Sequence, residues 1–196
     1  MLSYRDVKIR ACPRVYAPAE DSFLLADAID AKPGEAVLDM GTGTCILGII
    51  AAKKAKRVVA VDVSDAAVRC AEGNAVLNDA LSMVVRKSDL FSHVSDAFDL
   101  ILFNPPYVPT EASEKRDDVS LAWDGGEGGR EVIERFLKEV FGHVVPGGRL
   151  LMGGSSLSGY ERSMEMLEER GFDVCLAASV KLGFEVLVVV RAVYGF

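Results

Sequence analysis

The chain has 196 residues, half of them apolar, and carries 29 acidic against 22 basic side chains for a formal net charge of −7. That length suits one domain, 1–196, around a single core, and the short apolar runs exclude a disordered chain. No apolar stretch reaches the ~18 residues that cross a bilayer, the N-terminal MLSYRDVKIR lacks the h-region of a secretory signal, and the cytoplasm is the expected compartment.

The elements alternate between helical and strand patterns. Leu24, Leu25, Ala28 and Ile29 recur at helical spacing from about Glu20. Ala36–Met40 reads as a short buried strand, Ile46–Lys54 as a helix and Arg57–Val63 as a second buried strand. Ser64 or Asp65 caps a helix running towards Asn78. Met83–Arg86 and Phe98–Phe103 read as strands, Arg130–Val144 as a helix and Gly148–Met152 as a strand. Ser158 with Glu161 resembles a capping box for one more helix. Asp173–Val180 and Phe184–Arg191 are joined by so short a turn that they must pair antiparallel. Seven strands alternating with helices predict an α/β fold with a mostly parallel sheet closed by an antiparallel hairpin. Such sheets bind ligands at the carboxyl ends of their strands.

Cys12, Cys45, Cys70 and Cys175 are scattered, without a Cys-x-x-Cys pair. This spacing predicts reduced, mostly buried thiols and neither a disulfide framework nor a metal site of the chain's own. The one dense basic cluster, Lys53, Lys54, Lys56 and Arg57, falls at a helix end where cations complement the dipole. With the acidic balance, this argues against unaided binding to nucleic acid.

Three strand ends carry acids. The first strand runs into Asp39-Met-Gly41-Thr-Gly43-Thr-Cys45, whose glycines permit a tight turn and close approach to a ligand. The position where a dinucleotide fingerprint needs a third glycine is Ile46. Asp62, beside Val63, can accept from both hydroxyls of a ribose. Asp89, beside Leu90, can accept from an adenine amino group while apolar neighbours sandwich the ring. Asp39 can sit near an ammonium. In order, they suit a cationic, ribose- and adenine-bearing ligand such as S-adenosylmethionine, whose product is S-adenosylhomocysteine.

The fourth strand runs directly into Asn104-Pro105-Pro106-Tyr107, the most specific motif in the chain. The prolines fix φ and stiffen an arc of carbonyls. The Asn104 side-chain oxygen and the Pro105 carbonyl can each take one hydrogen of an NH2 group, aiming its lone pair at a methyl donor. Tyr107 supplies a flat face for a planar group and for a sulfonium. Neither His93 nor His143 lies in a motif. No general base is evident near Asn104, so a neutral nitrogen is expected and positioning carries the catalysis.

These motifs resemble those of class I, Rossmann-like amino-methyltransferases, and more closely those of the HemK-like glutamine methyltransferases that modify class-1 translation release factors. Cys45 stands where the Asp-x-Gly-x-Gly-x-Gly pattern of methyltransferases has its last glycine. Two further stretches carry the likeness: Val15–Leu24, which includes Tyr16, Glu20 and Ser22, and Leu121–Arg130, which includes Trp123, Gly125 and Gly126. The resemblance implies that Tyr16, Glu20 and Ser22 line the cofactor pocket and that Trp123, Gly125 and Gly126 wall the substrate pocket. The short segment before Tyr16 resembles the archaeal and eukaryotic type, which implies N5-methylation of the glutamine in a Gly-Gly-Gln motif. That type works with a small zinc-binding activator protein. The third strand, apolar and expected at a sheet edge, offers that partner a place to pair. The alternatives are an adenine or cytosine amino-methyltransferase acting on DNA or RNA, a protein-lysine methyltransferase, and a cofactor-binding subunit without activity.

Overall fold

A computed structural model describes residues 1–108 and 125–195. Two three-residue strands, β1 (Leu2–Tyr4) and β2 (Val7–Ile9), form an N-terminal hairpin. They are followed by α1 (Glu20–Ala28), β3 (Ala36–Met40), α2 (Ile46–Ala52), β4 (Arg57–Asp62), α3 (Asp65–Leu77), β5 (Met83–Lys87) and β6 (Phe98–Phe103). After residue 125 come α4 (Glu131–Glu139), β7 (Val144–Ser155), α5 (Tyr160–Glu168), β8 (Phe172–Leu182) and β9 (Glu185–Tyr194). The sheet order is β5-β4-β3-β6-β7-β9-β8. The first five are parallel and β9 runs antiparallel to both β7 and β8.

The central strands are apolar on both faces because helices cover both. Alternation sends Val37, Leu100 and Leu102 to the face packed by α1 and α2, beside Leu25 and Ile49. It sends Leu38, Ile101 and Phe103 to the other, beside Phe136 of α4 and Leu167 of α5. At the foot of the sheet Arg149 is buried, and its guanidinium is met by Asp30 at 2.6 Å and Glu35 at 2.8 Å. A buried cation needs such saturation.

The register fixes where chemistry can gather. Met40 lies opposite Val61 on one side and Phe103 on the other, and Phe103 lies opposite Met152. One residue further along, Asp62, Gly41, Asn104 and Gly153 therefore stand in a row at the carboxyl edge.

Four expectations change. The N-terminal hairpin was not anticipated, since three-residue strands are too short to show a period. It is held by two asparagines one turn apart, Asn74 in α3 and Asn78 at its C-terminal cap. Asn78 exchanges hydrogen bonds with the Lys8 backbone (2.9 and 2.8 Å), and Asn74 does so with Arg10 (2.9 and 3.1 Å). The Ser158–Glu161 capping box does not form: the residue before α5 is Gly159, left-handed, and Ser158 donates to the Ser155 carbonyl instead. Val144 begins β7 rather than ending a helix. Finally, Cys12 and Cys70 form a disulfide, with Cα atoms 6.0 Å apart, so the expectation of reduced thiols fails for this pair. The partners are 58 residues apart, a separation that spacing alone does not pair. Cys45 is buried and Cys175 exposed, both as thiols.

The crosslink closes a long loop and ties the segment after β2 to α3. Replacing both cysteines, Cys12→Ser with Cys70→Ser, should lower unfolding free energy by about 2–4 kcal/mol in oxidising buffer. In reducing buffer the two proteins should unfold alike, as read by denaturant titration.

Candidate active site

A cavity of about 430 Å³ opens at the carboxyl edge of β3, β4 and β6, within the size range of small-molecule sites. The glycine loop after β3 forms its floor. Gly41 and Gly43 have φ of 62° and 52°, and Cys45 also sits left-handed at 70°. Cys45 thus keeps the backbone shape that glycine adopts most readily, with its side chain fully buried.

The loop is tied down by two carboxylates. Asp39 Oδ2 accepts from Thr42 Oγ1 at 2.5 Å and from the Gly48 amide at 2.9 Å. A Cβ on Gly48 would fall 2.8 Å from that same oxygen, so α2 can approach Asp39 only through glycine. Asp62 accepts from the Gly43 amide at 3.0 Å and from the Ser64 amide at 2.9 Å. One oxygen takes each bond, leaving lone pairs towards the cavity. Burial raises both carboxyls above the usual range, Asp39 to about 7. On the far wall Ser88 Oγ donates to the Leu90 carbonyl at 2.6 Å, shaping the turn that presents Asp89. Asp89 is paired with Arg135 at 2.8 Å.

Asn104 faces the start of α1. Its Nδ2 donates to Asp21 Oδ2 at 2.9 Å, while among the described residues its buried Oδ1 has no partner. Oδ1 lies over Gly153, where a Cβ would come within 2.5 Å. Tyr16 donates to Asp21 Oδ1 at 3.3 Å, and Tyr107 lines the same cavity. Burial, then the neighbouring Asp21 charge, pushes both phenols above their ordinary value.

The methyltransferase small domain family matches residues 7–187. The chain belongs to this methyltransferase family. It is 40% identical over 194 residues to a Methanocaldococcus jannaschii protein assigned by name to the protein N5-glutamine methyltransferases, covering 98% of both. It is 30% identical to human methyltransferase HEMK2, over 90% of this chain and 88% of that one. Among solved structures it matches the E. cuniculi Mtq2–Trm112 complex, which methylates the termination factor eRF1, with TM-score 0.74 and 26% identity over 93% of this chain and 99% of that one. The sheet with its closing hairpin is the class I methyltransferase fold.

The methyltransferase cavity gathers Tyr16, Ser22, Gly41, Gly43, Asp62, Val63, Asp89, Leu90 and the whole Asn104–Tyr107 turn on its wall. Four anticipated residues stand elsewhere. Asp39 is 0% exposed beneath the loop and off the wall, so it shapes the floor rather than touching a ligand. Glu20 is exposed and off the wall. Gly125 and Gly126 are buried behind it. Gly125 receives Glu131 N–H at 2.8 Å and donates to the Val108 carbonyl at 3.0 Å, fastening α4 to the turn. Trp123 lies outside the described residues. Asp21, Arg14 and Arg135 line the cavity without having been singled out. Asp21 reads in sequence as an acid favouring a helix dipole, and only the fold brings it to Asn104. It also overturns the expectation that no base stands near the motif.

Asp39 gives a pH signature. Its carboxyl, raised from 3.8 to about 7, holds a proton in the folded protein that the unfolded chain has already lost. Folding stability should therefore decline through this group as pH rises from about 4 to about 7. Relative to wild type, Asp39→Asn should gain about 2 kcal/mol between pH 5 and pH 7.5, measured by denaturant titration without ligand. A difference independent of pH would remove Asp39 as the cause.

Proposed function

We propose that this single domain transfers a methyl group from S-adenosylmethionine to the side-chain amide nitrogen of the Gly-Gly-Gln glutamine in a class-1 release factor, in the cytoplasm. The observation that carries this reading is Asn104: a buried, unspent acceptor oxygen on a rigid Asn-Pro-Pro-Tyr turn, at the rim of a cavity walled by acids.

The residues fit the cofactor. Asp62 has lone pairs for a ribose, Leu90 and Val63 offer apolar contact for an adenine, and the acidic wall suits a cation. Bound there, S-adenosylmethionine supplies an electrophilic methyl on a sulfonium whose leaving group is neutral. This chain's part is to hold and orient. Asn104 Oδ1 and the Pro105 carbonyl accept from the amide NH2 and turn its lone pair inward, one of those two hydrogens leaves to solvent as a proton when the methyl group is added, Pro106 stiffens the turn, and Tyr107 gives the planar amide a flat face. Positioning of this kind is worth several orders of magnitude in rate.

The partner reading rests on β5. It is one edge of the sheet, and Val84 is 58% and nearby Leu81 93% exposed. An unpaired apolar edge accepts an added strand, which suits the small zinc-binding activator expected as partner, and Mtq2 is itself found in complex with Trm112. The acidic surface disfavours the nucleic-acid alternative.

The test uses labelled S-adenosylmethionine and the cognate release factor, with and without the activator, beside DNA, RNA and a lysine-containing peptide. Label on the release factor that disappears when its Gly-Gly-Gln glutamine is changed supports the proposal, and label only on nucleic acid or lysine overturns it. Asn104→Ala should abolish turnover with cofactor affinity within about threefold. Asp62→Ala should weaken cofactor binding by about 1–3 kcal/mol, the scale of a lost charged hydrogen-bond partner, as read by calorimetry.

A further inference from the structure

A primary amide has two ends of similar shape and opposite chemistry, so an asparagine serves as an acceptor only if something decides which end faces the substrate. In this fold the decision is made from α1. An ionised carboxylate can accept hydrogen bonds but not donate them. Asp21 Oδ2, 2.9 Å from the Asn104 side chain, therefore admits only the NH2 end. Ser22 Oγ lies 3.5 Å from the same nitrogen. The oxygen is thereby turned away, over Gly153, where the absence of a Cβ leaves room for it. Asp21 is itself held: its other oxygen accepts from the Ser22 amide at 2.6 Å, and from Tyr16 at 3.3 Å.

We infer that Asp21 is the positioning residue of the acceptor site: its carboxylate fixes the Asn104 amide so that Oδ1, and not Nδ2, is offered to the nitrogen that receives the methyl group. This rests on the reading of Asn104 as the acceptor proposed above. It also assigns the segment ahead of β3 a part in the chemistry as well as in covering the cofactor. Asp21 does not need to touch the reacting atoms; its effect passes through a single hydrogen bond 83 residues away in sequence.

Two substitutions test this on the full chain with its activator and release factor. In Asp21→Asn the two amides at 21 and 104 can pair in either sense, and Asn104 loses its imposed orientation. We expect kcat to fall about 10- to 100-fold, the scale of a misplaced reacting group, with the S-adenosylmethionine dissociation constant within threefold of wild type. Asn104→Asp alone places two carboxylates in contact and should also be impaired. The double substitution Asp21→Asn with Asn104→Asp restores one donor facing one carboxylate and leaves the second oxygen of the introduced carboxylate for the substrate. Its kcat should exceed that of Asn104→Asp at least tenfold, a rescue that a merely structural Asp21 does not give.

An unchanged kcat in Asp21→Asn, a double variant no better than Asn104→Asp, or a loss accounted for by weakened cofactor binding would each overturn the inference. Wild-type protein that leaves the release factor unlabelled overturns the proposed substrate instead, so the two failures are distinguishable.

Discussion

The site depends on one register. Parallel pairing sets Val61, Met40, Phe103 and Met152 in a line across the sheet, so the next residues fall in one row: a carboxylate, a glycine, an asparagine and a second glycine. Slipping any strand by one residue would turn its apolar side chains to the wrong face. Both faces are fully covered here, so the packing of Leu38 against one layer and Val37 against the other enforces the alignment of the functional row. Core and site are thus specified by the same contacts.

Within that row the glycine loop needs an anchor, because three left-handed residues in five carry little preference of their own for one path. Asp39 supplies it from below through Thr42 and the Gly48 amide, and Asp62 supplies it from the side through Gly43. The cost is a buried carboxylate whose Oδ1 has no partner among the described residues, which is why its proton is held to about pH 7. Asn74 ties the same loop to the N-terminal segment by donating to both the Thr44 and Arg10 carbonyls at 3.1 Å. The disulfide between Cys12 and Cys70 lies on this seam, so the cover of the cavity and its floor share a support on α3.

What could be read in the sequence follows from the range of the signal. β3, β4 and β6 are buried on both faces and declare themselves as continuous apolar runs. The row at their ends is local to each strand, so Asp62, Gly41, Gly43 and Asn104 were legible without knowing the sheet order. Asp39 shows the limit of that reading: its place at a strand end was legible, but whether it faces the ligand or the interior is decided by the pleat. The seating of the N-terminal hairpin by Asn74 and Asn78, the disulfide and the Asp21–Asn104 bond each join residues tens of positions apart through a side chain. Glu20 and Asp21 are indistinguishable as sequence neighbours; only the rotation of α1 sends one to solvent and the other to the cavity.

Asp21 also changes the terms on which an acceptor nitrogen is chosen. The sequence argues against a lysine acceptor because no base stands near Asn104, and the structure removes that objection by placing a carboxylate there. What separates the acceptors is how this carboxylate is occupied. Its oxygens accept from Asn104, from Tyr16 and from the backbone of its own helix. Taking up a proton from an ammonium would remove one of these accepting positions and release the asparagine that the carboxylate holds. An amide nitrogen is neutral before it reacts and sheds its one proton only as the methyl group arrives, so Asp21 need not take up a proton before the nitrogen can attack. The arrangement is therefore self-consistent for a neutral planar nitrogen, and for a cationic one it must first dismantle the contact that aims Asn104.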